Sequence, residues 1–402
     1  MSGPVPPATE LATEIARRGA RDSIGLVSES SVPAVVEALL QVRPAVAHDL
    51  LAEMAPAMRD AVLAAAPPDV APQWKTSTTW PEDSLGRLME APRGVFAPTL
   101  TVGQAIEQIR EIVKQVFVTY LFVTGPGGRL IGVITFRDLL LSPREKLLAD
   151  IMLQDPFFLR ADSPLMDAMK LVLNRHFPVY PVCDGEGRLV GLVRGQTMFE
   201  EQAIEISAQA GSMVGVDKEE RLATPWPRSL QARHPWLQLN LLTAFLAAAV
   251  VGVFQGTIDR LVILAMFLPV LAGQSGNTGC QALAVALRGL TLGELRPGRE
   301  RALVMKEGLL GLLNGSLVGV SAGIGMYVVA RSQQNPDAMT LAVVVWAAMV
   351  GACVTSGISG AIIPLTLRRL GFDPATASSI FLTTATDVVS MGMLLGLATI
   401  FV

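Results

Sequence analysis

Most of the long apolar stretches lie in the C-terminal part of the chain. A bilayer core about 30 Å thick needs about 20 mainly apolar residues for one helical crossing. Residues 233–402 contain five stretches that reach or approach this length. They cover roughly 236–254, 261–273, 309–330, 341–367 and 375–402. The pattern predicts an α-helical membrane domain with five transmembrane helices over 233–402.

Shorter elements are predicted at the other end of the chain. Prolines at 33, 44, 56 and 67 separate short Ala- and Leu-rich segments at intervals of 11–12 residues. Segments of this length and composition favour short helices. We therefore predict a short all-α N-terminal domain over 1–78.

Two related segments follow, at 117–133 and 177–192, with an offset of 59–60 residues. Each has β-branched runs on both sides of a glycine turn, which favours a pair of strands, and each lies between segments with helical spacing. The pattern predicts two α/β repeats, over 79–145 and 146–198, and then an acidic connecting helix over 199–232.

Composition and charge divide the chain in the same way. The 402 residues are 51% apolar and 17% charged, with a mean hydropathy of +0.46. Residues 1–233 hold 28 of the 35 acidic and 23 of the 32 basic residues. Around the apolar stretches, nine Lys or Arg residues fall on the side of the N-terminal half and two, Arg260 and Arg331, on the other. Because basic residues concentrate on the cytoplasmic side, we predict a multi-pass plasma-membrane protein with a cytoplasmic N-terminus and an external C-terminus.

Several function classes find no support in the sequence. Three cysteines and three scattered histidines form neither a disulfide framework nor a zinc motif. The net charge of −3, without a basic stripe, argues against nucleic acid as a partner, and residues 1–10 lack the apolar core of a cleavable signal peptide. The Gly-Lys-Ser/Thr motif of an ATPase does not occur in the sequence. We expect neither an enzyme nor an obligate partner protein.

One carboxylate lies near the middle of the last apolar stretch. Asp387 ends a Thr-Thr-Ala-Thr-Asp run and is the only ionisable side chain after Asp373. A charged side chain at mid-bilayer costs about 2.5–3.5 kcal/mol on insertion scales, so it is a functional-site hypothesis by default. The alternative is an Asp that is protonated or bonded to the Thr383 or Thr384 hydroxyls.

A polar interruption is predicted in the second apolar stretch. Residues 269–281 bring a proline, three glycines and several hydroxyl and amide side chains to membrane depth. Irregular backbone at this depth is tolerated only inside protein or along a water-filled cavity, and bare carbonyls suit a hydrated cation. A helix that ends at the interface is the alternative. Oxygen-only surroundings favour Mg²⁺, Ca²⁺ or Mn²⁺, and the spacing alone does not separate Mg²⁺ from Mn²⁺.

Small residues recur on the third stretch, where Gly311, Gly315 and Gly319 have four-residue spacing. Such spacing lets helix backbones approach closely. Packing within one chain explains the stripe; the alternative is a subunit interface, with the path for solute built where two copies meet.

Four runs in the membrane half resemble the MgtE magnesium channel and transporter family, and the likeness extends over residues 80–402. The runs are 269–281, 306–311, 363–375 and 383–389. The resemblance implies a homodimer of five-helix chains embedded in membrane lipid. It also implies a path for hydrated Mg²⁺ on the dimer axis, lined by the second and fifth helices.

The resemblance also assigns individual residues. The aspartate of the family's fifth helix falls on Asp387, where it binds hydrated Mg²⁺ with the help of a main-chain carbonyl that falls on Thr383. The other pore residues implied are Thr384, Gln274, Gly276, Asn277 and Gln281. The family's Gly-Gly-Asn motif reads Ser-Gly-Asn at 275–277, which leaves the ion preference among Mg²⁺, Mn²⁺ and Co²⁺ open.

The two α/β repeats resemble a tandem pair of CBS domains, which often sense adenine nucleotides or ions. Thr135 and Asp138 of the first repeat match the ribose-contacting pair, whereas the second repeat has Arg194, Gly195 and Gln196 there. The resemblance implies one nucleotide site, with ATP as its ligand. A purely structural disc is the alternative.

The connecting helix resembles the plug helix of the magnesium family, which closes the pore when Mg²⁺ fills acidic sites between it, the CBS pair and the N-terminal domain. The N-terminal domain here is shorter than the family's, and an acidic helix face is often only solvated. The metal ligands implied are Glu200, Glu201, Glu205, Asp49, Glu53 and Asp60.

Together these expectations describe a Mg²⁺ channel or transporter that takes up divalent cations across the plasma membrane. Its pore would lie at the homodimer axis, with Asp387 as the selectivity residue and gating by cytoplasmic Mg²⁺ or nucleotide. A proton-coupled divalent-cation exporter and a non-conducting membrane sensor are the alternatives.

Overall fold

The computed structural model describes residues 8–68, 70–77, 79–81, 84–114, 118–295 and 298–402. Phe117 of the first repeat and Arg296 of the basic flank lie outside the described residues. The chain forms two compact units. They are Met1–Glu205 with Arg221–Pro225, and Ile206–Glu220 with Trp226–Val402.

Short helices fill the described part of the N-terminal segment. They are α1 (Ala8–Arg18), α2 (Ala20–Ser28), α3 (Val32–Gln41), α4 (Pro44–Glu53), α5 (Pro56–Ala65) and α6 (Ala71–Ser77). Pro33, Pro44 and Pro56 occupy the first or second position of α3, α4 and α5, where the missing N–H loses no helical hydrogen bond. Leu11 and Leu50 are among the fully buried side chains that join these helices in one core. The predicted helical N-terminal domain is confirmed.

The first α/β repeat is a small mixed sheet with helices. Its elements are β1 (Val95–Phe96), α7 (Val102–Ile112), β2 (Tyr120–Thr124), β3 (Leu130–Thr135), α8 (Phe136–Leu141), α9 (Leu148–Ile151) and β4 (Leu153–Gln154). The strand order is β1-β2-β3-β4, with β1 parallel to β2 and the other pairs antiparallel. A capping box starts α7, because Thr101 Oγ1 accepts from the Gln104 N–H while the Gln104 side chain accepts from the Thr101 N–H.

The second repeat has the same design. Its elements are β5 (Leu159–Arg160), α10 (Leu165–Val172), β6 (Val179–Cys183), β7 (Leu189–Arg194) and α11 (Gly195–Ser212). β5 pairs parallel with β6, and β6 pairs antiparallel with β7. Buried Phe122, Leu130 and Cys183 form one cluster between the two repeats. The predicted helix–strand–strand–helix repeat is therefore confirmed.

Long helices make up the second unit. They are α12 (Trp226–Val253), α14 (Ile263–Thr291), α15 (Glu300–Ser332), α16 (Ala338–Arg369) and α17 (Ser378–Phe401), with the short α13 (Gln255–Arg260) between the first two. Among the described residues, α12, α15, α16 and α17 are long and apolar enough to cross a membrane. α14 has 29 residues but carries the polar positions of 274–281. The predicted helical membrane region is confirmed, with four apolar helices and one that is more polar.

The predicted interruption of the second stretch is wrong. α14 runs as one helix through Pro269 and the three glycines that follow it. Glycine in a helix is about 1 kcal/mol less favourable than alanine, but here it lets neighbouring helices come close. A methyl group built at Gly279 would lie 2.9 Å from Leu382 Cδ1 of α17, so tertiary packing outweighs the local preference to break the helix.

α16 lies at the centre of this unit and packs against α14, α15 and α17. The glycine stripe of α15 faces it: a methyl group built at Gly311 would lie 2.4 Å from the Cys353 carbonyl oxygen, and one at Gly315 would lie 2.9 Å from Cys353 Cβ. Close packing within one chain accounts for this stripe.

Candidate functional site

Asp387 lies in the middle of α17 and is half-buried. Within the described residues its carboxylate has no hydrogen-bond or ion-pair partner. The one side chain that bonds to Asp387 is that of Ser390, whose Oγ donates to the Asp387 backbone oxygen at 3.3 Å. The neighbouring hydroxyls bond elsewhere. Thr383 and Thr384 donate to the Ile380 carbonyl at 3.0 and 2.8 Å. The alternative in which these hydroxyls tie off Asp387 is therefore wrong for this structure.

The carbonyl predicted to assist Asp387 is that of Thr383, one helical turn earlier. It accepts from Thr386 Oγ1 at 3.0 Å. A carbonyl oxygen has two lone pairs, so this contact adds to the ordinary helical bond and engages the second lone pair of the Thr383 carbonyl.

Three polar residues of α14 share one face of that helix. Gln274, Asn277 and Gln281 are spaced by three and four residues, which aligns them along one side, and all three are exposed in the single chain. Amides in a membrane-spanning helix are normally turned to protein or to a water-filled cavity. In the single chain this polar face of α14 is therefore left open.

Gly276 and Ser275 lie on the packed side of α14. A methyl group built at Gly276 would lie 4.0 Å from Thr386 Oγ1 of α17, while Ser275 is fully buried and donates to the Ala272 carbonyl at 3.2 Å. The contact between Gly276 and Thr386 brings the polar segment of α14 next to the turn that holds Asp387.

The acidic residues implied as metal ligands lie mostly beside cationic groups. Glu201 pairs with Arg43, Glu53 Oε1 lies 3.0 Å from Arg21 Nε, and Asp49 Oδ1 lies 3.9 Å from Arg87 Nη1. Glu200 instead accepts from the Gln196 side chain at 2.8 Å. Asp60 is exposed on α5.

Three of these carboxylates line one cavity of about 320 Å³ in the first unit, together with Arg87. They are Asp49, Glu201 and Glu205. Within the described residues, no group of three or more His, Cys, Asp or Glu side chains is arranged to hold a metal ion. The structure thus places three of the six predicted acidic ligands around one cavity, together with an arginine.

His48 lies behind Arg87. Its ring is 1% exposed, and Nδ1–H donates to the Arg87 carbonyl oxygen. Burial lowers the pKa of His48 to about 4, against the smaller opposing effect of this hydrogen bond. The imidazole is therefore neutral at physiological pH.

The predicted ribose-contacting pair forms a local helix cap. Thr135 Oγ1 accepts from the Asp138 N–H at 3.2 Å and donates to Asp138 Oδ2 at 2.7 Å. This hydroxyl, together with the adjacent Arg137, lowers the pKa of Asp138. The two residues thus lie together, partly exposed, at the start of α8.

A separate cavity of about 250 Å³ lies between the two repeats. Glu90, Arg93, Tyr120, Arg194 and Gln196 are among its lining residues, and Arg194 Nε lies 2.9 Å from Glu90 Oε1. Sequence reasoning missed Glu90 and Arg93. The replacement of the Thr-Asp pair by Arg194 in the second repeat was the signal that could have pointed to this cavity.

Known protein families match the two α/β repeats and the membrane part of the chain separately. The model of the MgtE family, described as a divalent cation transporter, matches residues 268–397. The CBS domain model matches residues 85–144 and 148–201. The solved cytosolic domain of the Mg²⁺ channel MgtE in complex with ATP is 23% identical, covering 49% of this chain and 80% of its own with a TM-score of 0.42.

Three curated relatives are named magnesium transporter MgtE. The protein of Enterococcus faecalis is 30% identical over 282 residues, which are 70% of this chain and 61% of the relative. Those of Bacillus subtilis and Thermus thermophilus are 29% and 28% identical, over 80% and 79% of this chain and 70% of each relative. The chain spans about three fifths of the length of the first relative. The chain therefore carries a domain of the MgtE family over residues 268–397, preceded by a tandem CBS pair, and is similar to these relatives over 70–80% of its length.

Proposed function

We propose that this chain forms a channel that takes up Mg²⁺ across the plasma membrane. The observation that carries the proposal is the unpartnered carboxylate of Asp387, on a helix that packs against the polar segment of α14. A half-buried carboxylate at this depth needs water, a proton or a cation. The naming of three relatives as magnesium transporters supports the cation.

The pore is proposed to lie between two copies of the chain. The face formed by Gln274, Asn277 and Gln281 is exposed in a single chain, and lipid is a poor solvent for amide side chains. Pairing two such faces about a two-fold axis would enclose them and bring two Asp387 carboxylates to one aqueous passage. A homodimer therefore satisfies both groups.

The proposed ion is partly hydrated Mg²⁺. Mg²⁺ gives up its water reluctantly and is usually bound through one or two carboxylates, which is what two copies of Asp387 provide. The membrane potential contributes about 2.3 kcal/mol per elementary charge per 100 mV. A divalent ion therefore enters a cell with an inside-negative potential downhill. The proposed orientation has a cytoplasmic N-terminus and an external C-terminus.

The test is Mg²⁺ flux into liposomes that enclose a Mg²⁺-sensitive dye. Wild type should conduct, whereas Asp387→Ala and Asp387→Asn should lose at least about tenfold of the flux, because each removes charge that binds the ion. Asp337→Asn is the matched control, since Asp337 is an exposed carboxylate in the loop before α16. Full flux in both Asp387 variants would refute the pore.

The same liposomes separate the two alternatives. A proton-coupled exporter would move Mg²⁺ only when a pH gradient is imposed, whereas a channel follows the Mg²⁺ gradient and the membrane potential. A membrane sensor would give no flux under any gradient, even though the protein is folded.

The CBS pair is proposed to bind an adenine nucleotide and to regulate the pore. Thr135 and Asp138 are the proposed ribose contacts, partly exposed at the start of α8. Equilibrium dialysis with ATP should show binding that Thr135→Val and Asp138→Asn weaken. Arg194→Gln is the comparison variant, because Arg194 lines the cavity between the repeats. If only this variant loses ATP binding, the nucleotide site lies in that cavity. If the wild type binds no ATP, the CBS pair is a purely structural disc.

A further inference from the structure

One arginine joins the N-terminal domain to α11, and a second lies buried beside this contact. We call this contact the α4–α11 junction and define it by Arg43, Asp49, Arg87, Glu201 and Glu205. Arg43, the residue before α4, donates to Glu201 of α11 across 158 positions of sequence. The Arg43 side chain is 31% exposed and that of Glu201 is 14% exposed, so water screens this ion pair only in part.

Arg87 is the most deeply buried charge of the junction. Its side chain is 8% exposed, and its Nε donates to the Trp80 carbonyl at 3.1 Å. Nη1 makes no hydrogen bond within the described residues, but it lies 3.9 Å from Asp49 Oδ1 and lines the cavity that Asp49, Glu201 and Glu205 share. A guanidinium thus forms part of the wall of the acidic cavity.

A divalent cation would have to share this space. Mg²⁺ binds carboxylate oxygens at about 2.0–2.1 Å, so an ion on Asp49 Oδ1 would come within about 6 Å of Arg87 Nη1, given the 3.9 Å contact. At that distance water screens the repulsion between the two cations only in part, because the Arg87 side chain is 8% exposed although that of Asp49 is 47% exposed. Glu201 is already neutralised by Arg43. The charges present therefore disfavour Mg²⁺ as the ion that closes the junction.

We propose that Arg43 and Arg87 are built-in counter-cations of the α4–α11 junction. They neutralise Glu201 and Asp49, so the N-terminal helical domain stays attached to α11 whether or not Mg²⁺ is bound. The acidic residues there take part in a permanent contact between α4 and α11, which we call the latch, and do not form a Mg²⁺ sensor. The inference rests on the proposed function only for what the latch controls; the latch itself is a property of the soluble half.

Hydrogen exchange of the full chain in lipid nanodiscs tests the latch. The peptides to follow cover Pro44–Glu53 and residues 195–205. In wild type, exchange in EDTA and in millimolar Mg²⁺ at equal ionic strength should agree within about twofold, because the arginines supply the positive charge. In Arg43→Gln/Arg87→Gln, exchange in EDTA should rise roughly tenfold, since a hydrogen bond to a charged group is commonly worth at least that much. Mg²⁺ should then slow it again.

Arg110→Gln is the matched control, because Arg110 pairs with Glu107 on an exposed face of α7. It should leave the exchange of both peptides unchanged. If the double variant does not fold, the exchanged pair Arg43→Glu/Glu201→Arg should keep the Mg²⁺-independent exchange of wild type, whereas Arg43→Gln alone should not. A tenfold slowing of wild-type exchange by Mg²⁺ would overturn the proposal, and so would a double variant that behaves as wild type. Flux through liposomes is measured separately, so failure of the pore and failure of the latch are distinguishable.

Discussion

Gly360 of α16 lies directly against the backbone of α14 at Gly279. A methyl group built at Gly360 would be 2.4 Å from the Gly279 carbonyl oxygen and 2.9 Å from Ala282 Cβ. Helix backbone cannot yield to a side chain as a flexible neighbour can. We therefore expect Gly360→Ala to separate α14 from α16 and to destabilise the membrane half by about 1–3 kcal/mol, the usual range for overpacking. Thermal unfolding of the purified protein in detergent measures this.

Gly289→Ala is the control for this substitution. Gly289 lies on α14 as well, but a methyl group built there meets no atom within 4 Å. Alanine favours helix over glycine by about 1 kcal/mol, so this variant should be as stable as wild type or slightly more so. Equal loss of stability in both variants would contradict the close contact of α14 with α16.

A second prediction concerns the buried His48. Its pKa is lowered from 6.5 to about 4 by burial, whereas the unfolded chain titrates near 6.5. Between these values the unfolded state binds more protons than the folded state, so stability falls as the pH decreases through this window. Above about pH 6.5 the ring is neutral in both states and does not lower the free energy of unfolding. Below about pH 4 the free energy of unfolding has fallen by its full amount, about 3 kcal/mol.

Urea unfolding at pH 7 and pH 5 measures this loss, followed by the fluorescence of Trp74 and Trp80 in the first unit. The other three tryptophans, Trp226, Trp236 and Trp346, are replaced by Phe for this purpose. His48→Gln should abolish most of the difference between the two pH values. His176→Gln removes an exposed histidine and should retain the difference; a pH dependence that survives in His48→Gln would assign it to another group.

Local sequence signals predicted those elements whose cause is local. Prolines 33, 44 and 56 mark the starts of α3, α4 and α5, because proline favours the first helical turn and disfavours the interior. The repeated Gly-turn pattern predicted the β2–β3 and β6–β7 hairpins, since alternating β-branched residues around a turn favour paired strands.

Other features depend on residues that are distant in sequence. Proline and glycines in α14 predicted an interruption, but packing against Leu382 and Gly360 holds the helix intact. The role of Glu201 depends on Arg43, 158 positions away, and no pattern in a single sequence reveals that pair. Burial and partners, which decide what an acidic residue does, are set by the tertiary fold.

The last prediction concerns the open polar face of α14. Asn277 is exposed there, between Gln274 and Gln281. If hydrated Mg²⁺ passes this face, the amide exchanges hydrogen bonds with the ion's water shell, and a leucine of similar size cannot. Asn277→Leu should therefore lower Mg²⁺ flux by roughly tenfold, the loss expected when one hydrogen bond to a charged species is removed. Asn277→Gln keeps the amide and should restore most of the flux.

The control for this substitution is Asn314→Leu. Asn314 is also an exposed asparagine of a membrane helix, but it belongs to α15, which the proposed pore does not use. Size-exclusion chromatography and circular dichroism establish that each variant is folded before flux is compared. Because the pore model ties conduction to α14 and α17, a loss that is equal in Asn277→Leu and Asn314→Leu would point to a general effect of leucine in the membrane half. Unchanged flux in Asn277→Leu would remove the α14 face from the ion path and leave Asp387 without its neighbouring polar wall.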